Sequence, residues 1–359
     1  MHNTHCLLFT VCCLALAPQA FAQQTKILTA EKHNEYGLVY TLPLTAFSVE
    51  VTAVKEVSVA GPFYPYAKKF AGDSKVISQD AVNWYVESVR VTPYGVPDPA
   101  NRYLMQLKPG ATTFIGVGQD GMLLSINHEP ELPAVSSSSF TPLEGVPSTG
   151  KEYLEFVNED FISAQSPFRQ AQLLGEELME IRDAKISLTR GTAETMPTDG
   201  RQLELMLASL DAQEKALMQA FTGNSWKERV VSTFTFIPED EARHVLCRIS
   251  DFDGLVGPDD YSGEPVYITA RLVEEPQLPV DAKGEEKKIP KDAVIYCIPG
   301  SAELTVSAAG KNIFSQVYPM SQFGFTFGLN PSLFTDKKEP SYAIFDPSTG
   351  ALLRLSTLK

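Results

Sequence analysis

The chain contains 359 residues, of which 43% are hydrophobic and 25 are prolines, a composition typical of a globular, β-rich protein with about two domains. Its formal net charge of −14 disfavours nucleic acids and anionic membrane surfaces as partners, because both attract basic protein surfaces. No run of basic residues offsets this charge.

The N-terminal residues have the pattern of an export signal. Cys6 to Ala17 form an apolar run that is too short to span a bilayer with ease, and Ala20-Phe21-Ala22 has the small-x-small form that signal peptidase cleaves. The sequence therefore predicts a signal peptide over residues 1–22 and an exported protein, in the periplasm or on the cell surface, that begins at Gln23. No later segment approaches the length of a transmembrane helix, so no membrane span is predicted.

Residues 23–150 are predicted to form an N-terminal β-rich domain. Apolar and polar residues alternate from Gly37 onward, and the phase of this alternation changes at Val54. Further strand patterns occur at Trp84 to Val91, Tyr103 to Leu107, Phe114 to Val117 and Met122 to Ile126. The polar stretch from Pro130 to Gly150 is interpreted as a loop or domain boundary.

A glycine motif within this segment, Gly116 to Gly121, matches the dinucleotide-binding fingerprint letter for letter. That chemistry needs a helix N-terminus directly after the last glycine to hold the pyrophosphate. The following residues, Met122 to Ile126, form a strand pattern instead, and Asp120-Gly121 between two apolar runs is a signal for a β-hairpin. We therefore expect a hairpin here and no nucleotide site.

Residues 151–225 are predicted to form an antiparallel helical hairpin. Ser166 and Asp199 are suited to cap the first free amides of two helices, and Gly191 and Gly223 are suited to end them. Apolar residues recur every three or four positions, as expected for one buried face on each helix. These residues are Ala171, Leu174, Leu178, Ile181 and Leu188 in the first helix, and Leu203, Met206, Leu207, Leu210, Leu217 and Phe221 in the second.

Two charged residues, Lys185 and Glu214, interrupt these apolar stripes. Counting outward from the turn places Glu214 near Glu177 and Leu178, with no cation opposite. The sequence therefore favours a Glu214 side chain at the edge of the stripe, with its carboxylate in water.

Residues 226–359 are predicted to form a C-terminal β-rich domain. Phe323, Phe325 and Phe327 share one face of a strand and are expected to lie in its core. Strand patterns occur at Arg229 to Ile237, His244 to Ile249, Val266 to Val273, Ala293 to Ile298, Ala302 to Val306, Asn312 to Tyr318, Tyr342 to Phe345 and Ala351 to Leu355.

Cys247 and Cys297 are the two cysteines that remain after removal of the signal peptide, and each lies in an apolar strand pattern. They could pair as a disulfide in an oxidising compartment or remain small buried thiols. Both alternatives stay open, and neither cysteine has the surroundings of a nucleophile.

Three groups of residues were weighed as binding or metal sites. Asp251, Asp253, Asp259 and Asp260 could gather oxygen atoms around Ca²⁺, but their spacing departs from an EF-hand and favours a solvated turn. The histidines outside the predicted signal peptide, His33, His128 and His244, are too far apart in sequence for a zinc motif. Four aromatic residues near or within strand patterns could stack on sugar rings: Trp84, Tyr85, Tyr94 and Tyr103. Aromatic residues in strands usually fill protein cores instead.

Acidic pairs such as Glu129 with Glu131, and the run Glu239-Asp240-Glu241, are typical of solvated surfaces. A glycosidase pair is defined by its separation across a cleft. The sequence therefore predicts no catalytic, cofactor-binding or metal-ligating residue, and no cofactor.

A set of turns, caps and apolar positions is spaced along the chain: Gly61-Pro62-Phe63 with Tyr66-Ala67, Met196 to Gly200, Glu214 to Leu217, Phe221-Thr222-Gly223, Arg248-Ile249-Ser250, Gly254-Leu255-Val256, Ser262 to Pro265, Ile298-Pro299 and Gln322-Phe323-Gly324. This set resembles an exported bacterial family, the domain of unknown function forty-eight thirty-one. The resemblance covers the chain from about Gly37 to Leu355 and implies a signal peptide, β-rich ends around a helical hairpin, a bacterial envelope location and no assigned activity.

The expected fold is α+β, with two β-rich, sandwich-like domains and a central antiparallel helical hairpin. The expected function is that of a non-enzymatic binding or scaffolding protein of the cell envelope. Its partner is expected to be an unidentified envelope protein or glycan, or a second copy that associates through the helical hairpin. The alternative is a hydrolase that acts on glycans or other cell-surface polymers with paired carboxylates.

Overall fold

The architecture comes from a computed structural model, which describes residues 37–106, 114–130, 143–281, 283–290, 293–336 and 339–358. Gly37–Lys359 forms one compact unit. Most of its residues in regular secondary structure lie in strands, arranged as three antiparallel sheets. The predicted signal peptide, residues 1–22, lies outside the described residues, as do His33 and Glu131.

The first sheet is built around a long strand, β1 (Gly37–Val59), in the order β2-β1-β6-β5. Its neighbours are β2 (Ala81–Gln106), β5 (Leu143–Glu144) and β6 (Asn224–Phe236). The pairing of β1 with β2 has irregularities between Thr41 and Pro43 and between Thr52 and Ala53. The second irregularity accounts for the predicted change of phase, since buried side chains follow one another at Ala53 and Val54.

The second sheet has five strands in the order β11-β10-β9-β7-β8. They are β7 (Arg243–Ser250), β8 (Gly254–Val256), β9 (Glu264–Glu274), β10 (Val294–Ala308) and β11 (Lys311–Leu329). Buried side chains from one face of this sheet, including Ile268 and Leu304, form a common cluster with Phe47, Val49 and Val51 of β1. The first two sheets therefore bury their apolar faces against each other.

The third sheet has the order β13-β12-β4-β3. It consists of β3 (Ile115–Val117), β4 (Leu123–Ile126), β12 (Ser341–Phe345) and β13 (Leu352–Thr357). In this sheet the N-terminal strand β4 pairs with the C-terminal strand β12. In the first sheet β1 pairs in the same way with β6, which lies after the helices in the chain. The N-terminal and C-terminal β-rich segments thus share two sheets, although the sequence suggested that each would form a domain of its own.

Two long helices, α3 (Pro167–Arg190) and α4 (Gly200–Thr222), follow two short ones, α1 (Ala67–Phe70) and α2 (Glu159–Ser163). The predicted caps are in place: the side chain of Ser166 accepts from the amide of Arg169 at 3.2 Å, and that of Asp199 accepts from the amide of Gln202 at 2.8 Å. Gly191 and Gly223 end the two helices with positive φ angles.

The N-terminal half of α3 and the C-terminal end of α4 bury a common apolar cluster, which includes Leu174, Leu178, Leu217 and Phe221. The N-terminal half of α4 is less buried than its predicted apolar stripe requires, since Met206 is 37% exposed and Leu203, Leu207 and Leu210 are only partly buried. Among the described residues, none of the helices has the length and apolar character needed to cross a membrane.

The prediction for Glu214 was wrong. Its carboxylate binds two cations of α3: Oε1 lies 2.7 Å from Nε of Arg182, and Oε2 lies 2.7 Å from Nζ of Lys185. Lys185 also pairs with Asp211 of α4. Counting from the turn failed because the connection does not turn back at once: residues 192–195 lie beside Met206 and Leu210 of α4, so the contact of Glu214 falls about two turns closer to the end of α3 than expected.

Candidate binding surface

The candidate surface is a loop that leaves the second sheet between β7 and β9 and includes the short strand β8. It consists of residues 251–264 and is called the aromatic loop below. The side chains of Phe252 and Tyr261 are 91% and 84% exposed. No other large hydrophobic side chain in the described part of the chain exceeds the 73% exposure of Ile162.

The start of the aromatic loop is tied to the end of β7 by Ser250. The hydroxyl of this buried residue accepts hydrogen bonds from the amides of Phe252 and Asp253, at 3.3 and 3.4 Å. Ser250 also pairs with Gly254 across the β7–β8 connection. These contacts fix the backbone on both sides of the exposed Phe252 ring.

Gly254 anchors the loop on the first sheet. Its φ angle is +73°, a value that L side chains rarely adopt, and an added Cβ atom would lie 2.7 Å from the ring of Trp84. Trp84 lies opposite Lys55 on β1, whose Nζ is 5.9 Å from the centre of the indole ring. The aromatic loop therefore rests directly on a side chain of β2.

The second half of the loop is held by Arg248. Its guanidinium donates to the carbonyl oxygens of Pro258 and Gly263, at 2.8 and 3.2 Å. The same group lies 4.7 Å from the centre of the Tyr261 ring. A Cβ atom added to Gly263 would be 2.6 Å from the backbone of Ile249, so the loop returns tightly against β7.

The aromatic loop carries five exposed carboxylates, those of Asp251, Asp253, Asp259, Asp260 and Glu264. None of the five forms an ion pair with another described residue. Hydrogen bonds from the amide and the hydroxyl of Ser262, together with the nearby charge of Arg248, lower the pKa of Asp260. The loop is therefore strongly anionic at neutral pH.

The aspartates of this loop stand out in the sequence, but the exposure of its two aromatic side chains was not predicted. Among the described residues, no group of three or more histidine, cysteine or acidic side chains is placed to hold a metal ion. The signal that could have found Phe252 and Tyr261 is a large ring isolated among aspartates and glycines, with no alternating pattern to bury it.

The aromatic residues that were weighed as a sugar platform lie apart along β2. Tyr85, Tyr94 and Tyr103 are opposite Val54, Ala46 and Tyr40 of β1, so neighbouring members are nine residues apart, which is about 30 Å along a strand. The hydroxyl of Tyr103 donates to Asn101 at 2.9 Å, and its ring packs against Tyr40. These side chains do not form one stacking surface, and Trp84 serves as the anchor of the aromatic loop.

The described histidines, His128 and His244, and the acidic residue Asp240 make local contacts. The ring of His128 stacks on Tyr342, and Nε2 of His244 is 2.9 Å from Oδ1 of Asp240. This contact and the amide of Ala242 lower the pKa of Asp240.

Cys247 and Cys297 are free, buried thiols. Cys247 belongs to the cluster between the first two sheets, whereas the amide of Cys297 donates to Gly350 at 3.0 Å near the third sheet. Burial raises the pKa of each thiol to about 12. A thiol with such a pKa is a poor nucleophile at neutral pH.

The glycine motif Gly116 to Gly121 forms the predicted hairpin. The amide of Gly118 donates to the carbonyl of Met122 at 2.9 Å, and β3 pairs with β4 across the turn. A strand follows the last glycine where a nucleotide site needs a helix N-terminus.

A second concave region lies at the far end of the helices. It is a groove of about 570 Å³ between Leu188 of α3, Met206 and Leu210 of α4, and residues 192–195 of the connection. One carboxylate, that of Glu194, lines it.

The family model for the domain of unknown function DUF4831 matches residues 36–353. No curated protein and no solved structure matches the chain. The match spans nearly all of the residues that form the three sheets and the helices, and it confirms the resemblance drawn from the turns and caps. The chain belongs to the DUF4831 family of domains of unknown function.

Proposed function

We propose that this protein is a non-enzymatic binding or scaffolding protein of the cell envelope, exported by its N-terminal signal, and that it binds its partner through the aromatic loop. The observation that carries the proposal is the contrast within this loop. Its backbone is held by Ser250, Gly254 and Arg248, while Phe252 and Tyr261 project into solvent.

Exposed aromatic rings on a rigid backbone suit binding for two reasons. Large rings contribute much of the energy of protein interfaces, since they bury a wide apolar area with few rotatable bonds. A loop that is already ordered loses little conformational freedom when a partner binds. The rings of Phe252 and Tyr261 contribute little to the folded core, so their position is better explained by an intermolecular contact.

The carboxylates support binding over hydrolysis. A hydrolase pair is recognised by two carboxyl groups that share a cleft and have pKa values pushed apart. In this protein, the carboxyl groups with shifted pKa values owe the shifts to separate local contacts. Hydrogen bonds from Arg229 lower the pKa of Glu87. Burial and the neighbouring Glu180 raise the pKa of Glu177.

Glu152 illustrates the same point. Partial burial raises its pKa, but hydrogen bonds from Thr149 and Ser148 outweigh this effect and bring the pKa to about 2. The carboxylate accepts from the amide of Thr149 at 2.6 Å and from the hydroxyl of Ser148 at 2.8 Å. It therefore ties the preceding turn to the short helical segment Glu152–Phe156.

Binding to isolated native envelopes tests the proposal. Purified mature protein is sedimented with envelopes, and the bound fraction of F252A/Y261A is compared with that of the wild type. We expect at least about a tenfold loss of affinity, as for the removal of two interface anchors. The matched control is F114A/Y64A, which also removes one exposed phenylalanine and one exposed tyrosine, but outside the loop.

Retention of wild-type binding by F252A/Y261A would refute the aromatic loop as the binding surface. Self-association through the helices stays a prediction of the sequence. Light scattering of the mature protein, before and after deletion of residues 167–222, measures it, and an unchanged oligomeric state would end it.

A further inference from the structure

We propose that the aromatic loop binds a cationic segment of a protein partner, one that carries arginine or lysine side chains. This inference rests on the proposed function, because it names the chemistry of the partner that the same loop would bind.

The charge of the loop is the first reason. Residues 249–270 contain no lysine, arginine or histidine. Residues 248–270 therefore carry five exposed carboxylates and one cation, that of Arg248 at the base of the loop, which gives this segment a net charge of −4. A field of one sign on an exposed projection favours partners of the opposite sign and speeds their encounter.

The rings supply the second reason. An aromatic face attracts a guanidinium or ammonium group, and the attraction increases when water is excluded. The protein already uses this contact in the loop, where the guanidinium of Arg248 lies 4.7 Å from the centre of the Tyr261 ring. It uses it again at the other end of β7, where Arg243 lies 3.9 Å from the centre of the Tyr267 ring. Phe252, at 91% exposure, leaves nearly its whole ring open to a partner's cation.

Rings and carboxylates together favour a cationic segment over a glycan. A neutral sugar could stack on Phe252 or Tyr261, but it would gain nothing from the net negative charge of the loop. An anionic envelope polymer would be repelled by the same carboxylates. Only a cationic partner would use both the rings and the carboxylates. The aliphatic parts of its arginine or lysine side chains would pack on the rings, and their charged groups would lie near Asp251, Asp253 and Asp259.

The test uses the full mature protein and a fluorescein-labelled peptide, Gly-Arg-Gly-Arg-Gly-Arg-Gly, with binding followed by fluorescence anisotropy. Three variants are compared with the wild type. F252A/Y261A removes the rings and keeps the charge. D251N/D253N/D259N removes three charges and keeps the rings. E155Q/E180Q/D183N removes three exposed charges elsewhere, on the helical segment, and serves as the matched control.

We expect the ring variant and the loop-charge variant each to bind the peptide about fivefold to tenfold more weakly, and the control to change affinity by less than about twofold. An increase in salt from about 50 to 500 mM is expected to weaken wild-type binding. All substituted side chains are exposed, and circular dichroism melts of each variant check that the fold is retained.

Three results would overturn the inference. The first is absence of peptide binding at millimolar concentration, and the second is equal loss of affinity in the control variant. The third is ring-dependent binding of the neutral sugar chitohexaose without binding of the peptide. This last result would leave the aromatic loop as a binding surface and replace only the class of partner, so failure of this inference differs from failure of the proposed function.

Discussion

The side-chain amide of Gln322 forms hydrogen bonds with both the backbone N–H and the backbone C=O of Thr45. Oε1 of Gln322 accepts from the amide of Thr45 at 3.2 Å, and Nε2 donates to its carbonyl at 2.7 Å. Thr45 is fully buried, and its hydroxyl donates to the carbonyl of Ser348 at 3.1 Å. The contact joins β1 of the first sheet to β11 of the second and to the turn after β12 of the third.

Replacement of Gln322 by alanine is expected to destabilise the protein by about 1–2 kcal/mol, because the buried carbonyl of Thr45 loses its side-chain donor, whereas the amide of Thr45 keeps the hydroxyl of Ser321 as a partner at 3.0 Å. The measurement is the free energy of unfolding in urea. Q316A is the matched control, since Gln316 is an exposed residue of the same strand, and it is expected to change stability by less than about 0.5 kcal/mol. Equal stabilities for the two variants would contradict the structural role of Gln322.

Gly254→Ala is expected to destabilise the protein by about 2 kcal/mol or more, because the new Cβ meets the Trp84 ring at a positive φ angle. Gly257→Ala is the control. Gly257 lies in the same loop, has no heavy atom within 4 Å of an added Cβ, and has no positive φ angle. Thermal melts that show the same midpoint for both variants would mean that the loop does not rest on Trp84.

The pairing of Glu214 with α3 predicts a pH-dependent contribution to stability. Hydrogen bonds from Lys185 and Arg182 lower the pKa of Glu214. A carboxyl group with a lower pKa in the folded state stabilises the fold above its unfolded pKa, and this contribution is lost as the pH falls through the folded value. At pH 7 we expect E214Q to be less stable than the wild type by about 1 kcal/mol.

The difference is expected to shrink as the pH falls below about 4, where the unfolded carboxyl group is protonated. Urea unfolding at pH 7 and pH 3 measures it. E204Q is the control, because Glu204 pairs with Arg201 at 4.0 Å on an exposed face. A difference between E214Q and the wild type that stays constant with pH would exclude this ionic contribution.

The two buried thiols predict how a protein that lacks residues 1–22 reacts with a thiol reagent. With a pKa of about 12, Cys247 and Cys297 are expected to react slowly with dithionitrobenzoate in the native state at pH 8. In denaturant without reductant, two thiols per chain should react at once. If no thiol reacts in denaturant without reductant, the two cysteines form a disulfide.

The helices were predictable from the sequence because their ends depend on local chemistry. Ser166, Asp199, Gly191 and Gly223 satisfy backbone groups within one turn, so their roles follow from residue type and position. The change of phase at Val54 was predictable for the same reason, since an irregularity in pairing shifts the buried face locally.

Long-range features could not be predicted in this way. The pairing of β1 with β6 joins residues more than 160 positions apart, such as Val59 with Asn224, and no local pattern encodes it. The partners of Glu214 depended on how residues 192–195 of the connection lie against α4. In the aromatic loop, residue type indicated a turn, but only the three-dimensional contacts of Gly254 and Arg248 show that its backbone is held while two rings stay exposed.

Hydroxyl-radical footprinting of the protein, free and bound to isolated native envelopes, tests the central claim most directly. In the free protein, Phe252 and Tyr261 should be among the most strongly oxidised side chains, since they are the most exposed rings described. On envelopes, we predict that both become protected while Phe114 and Tyr64 do not. Unchanged oxidation of Phe252 and Tyr261 in envelope-bound protein would contradict the claim that the aromatic loop is the binding surface.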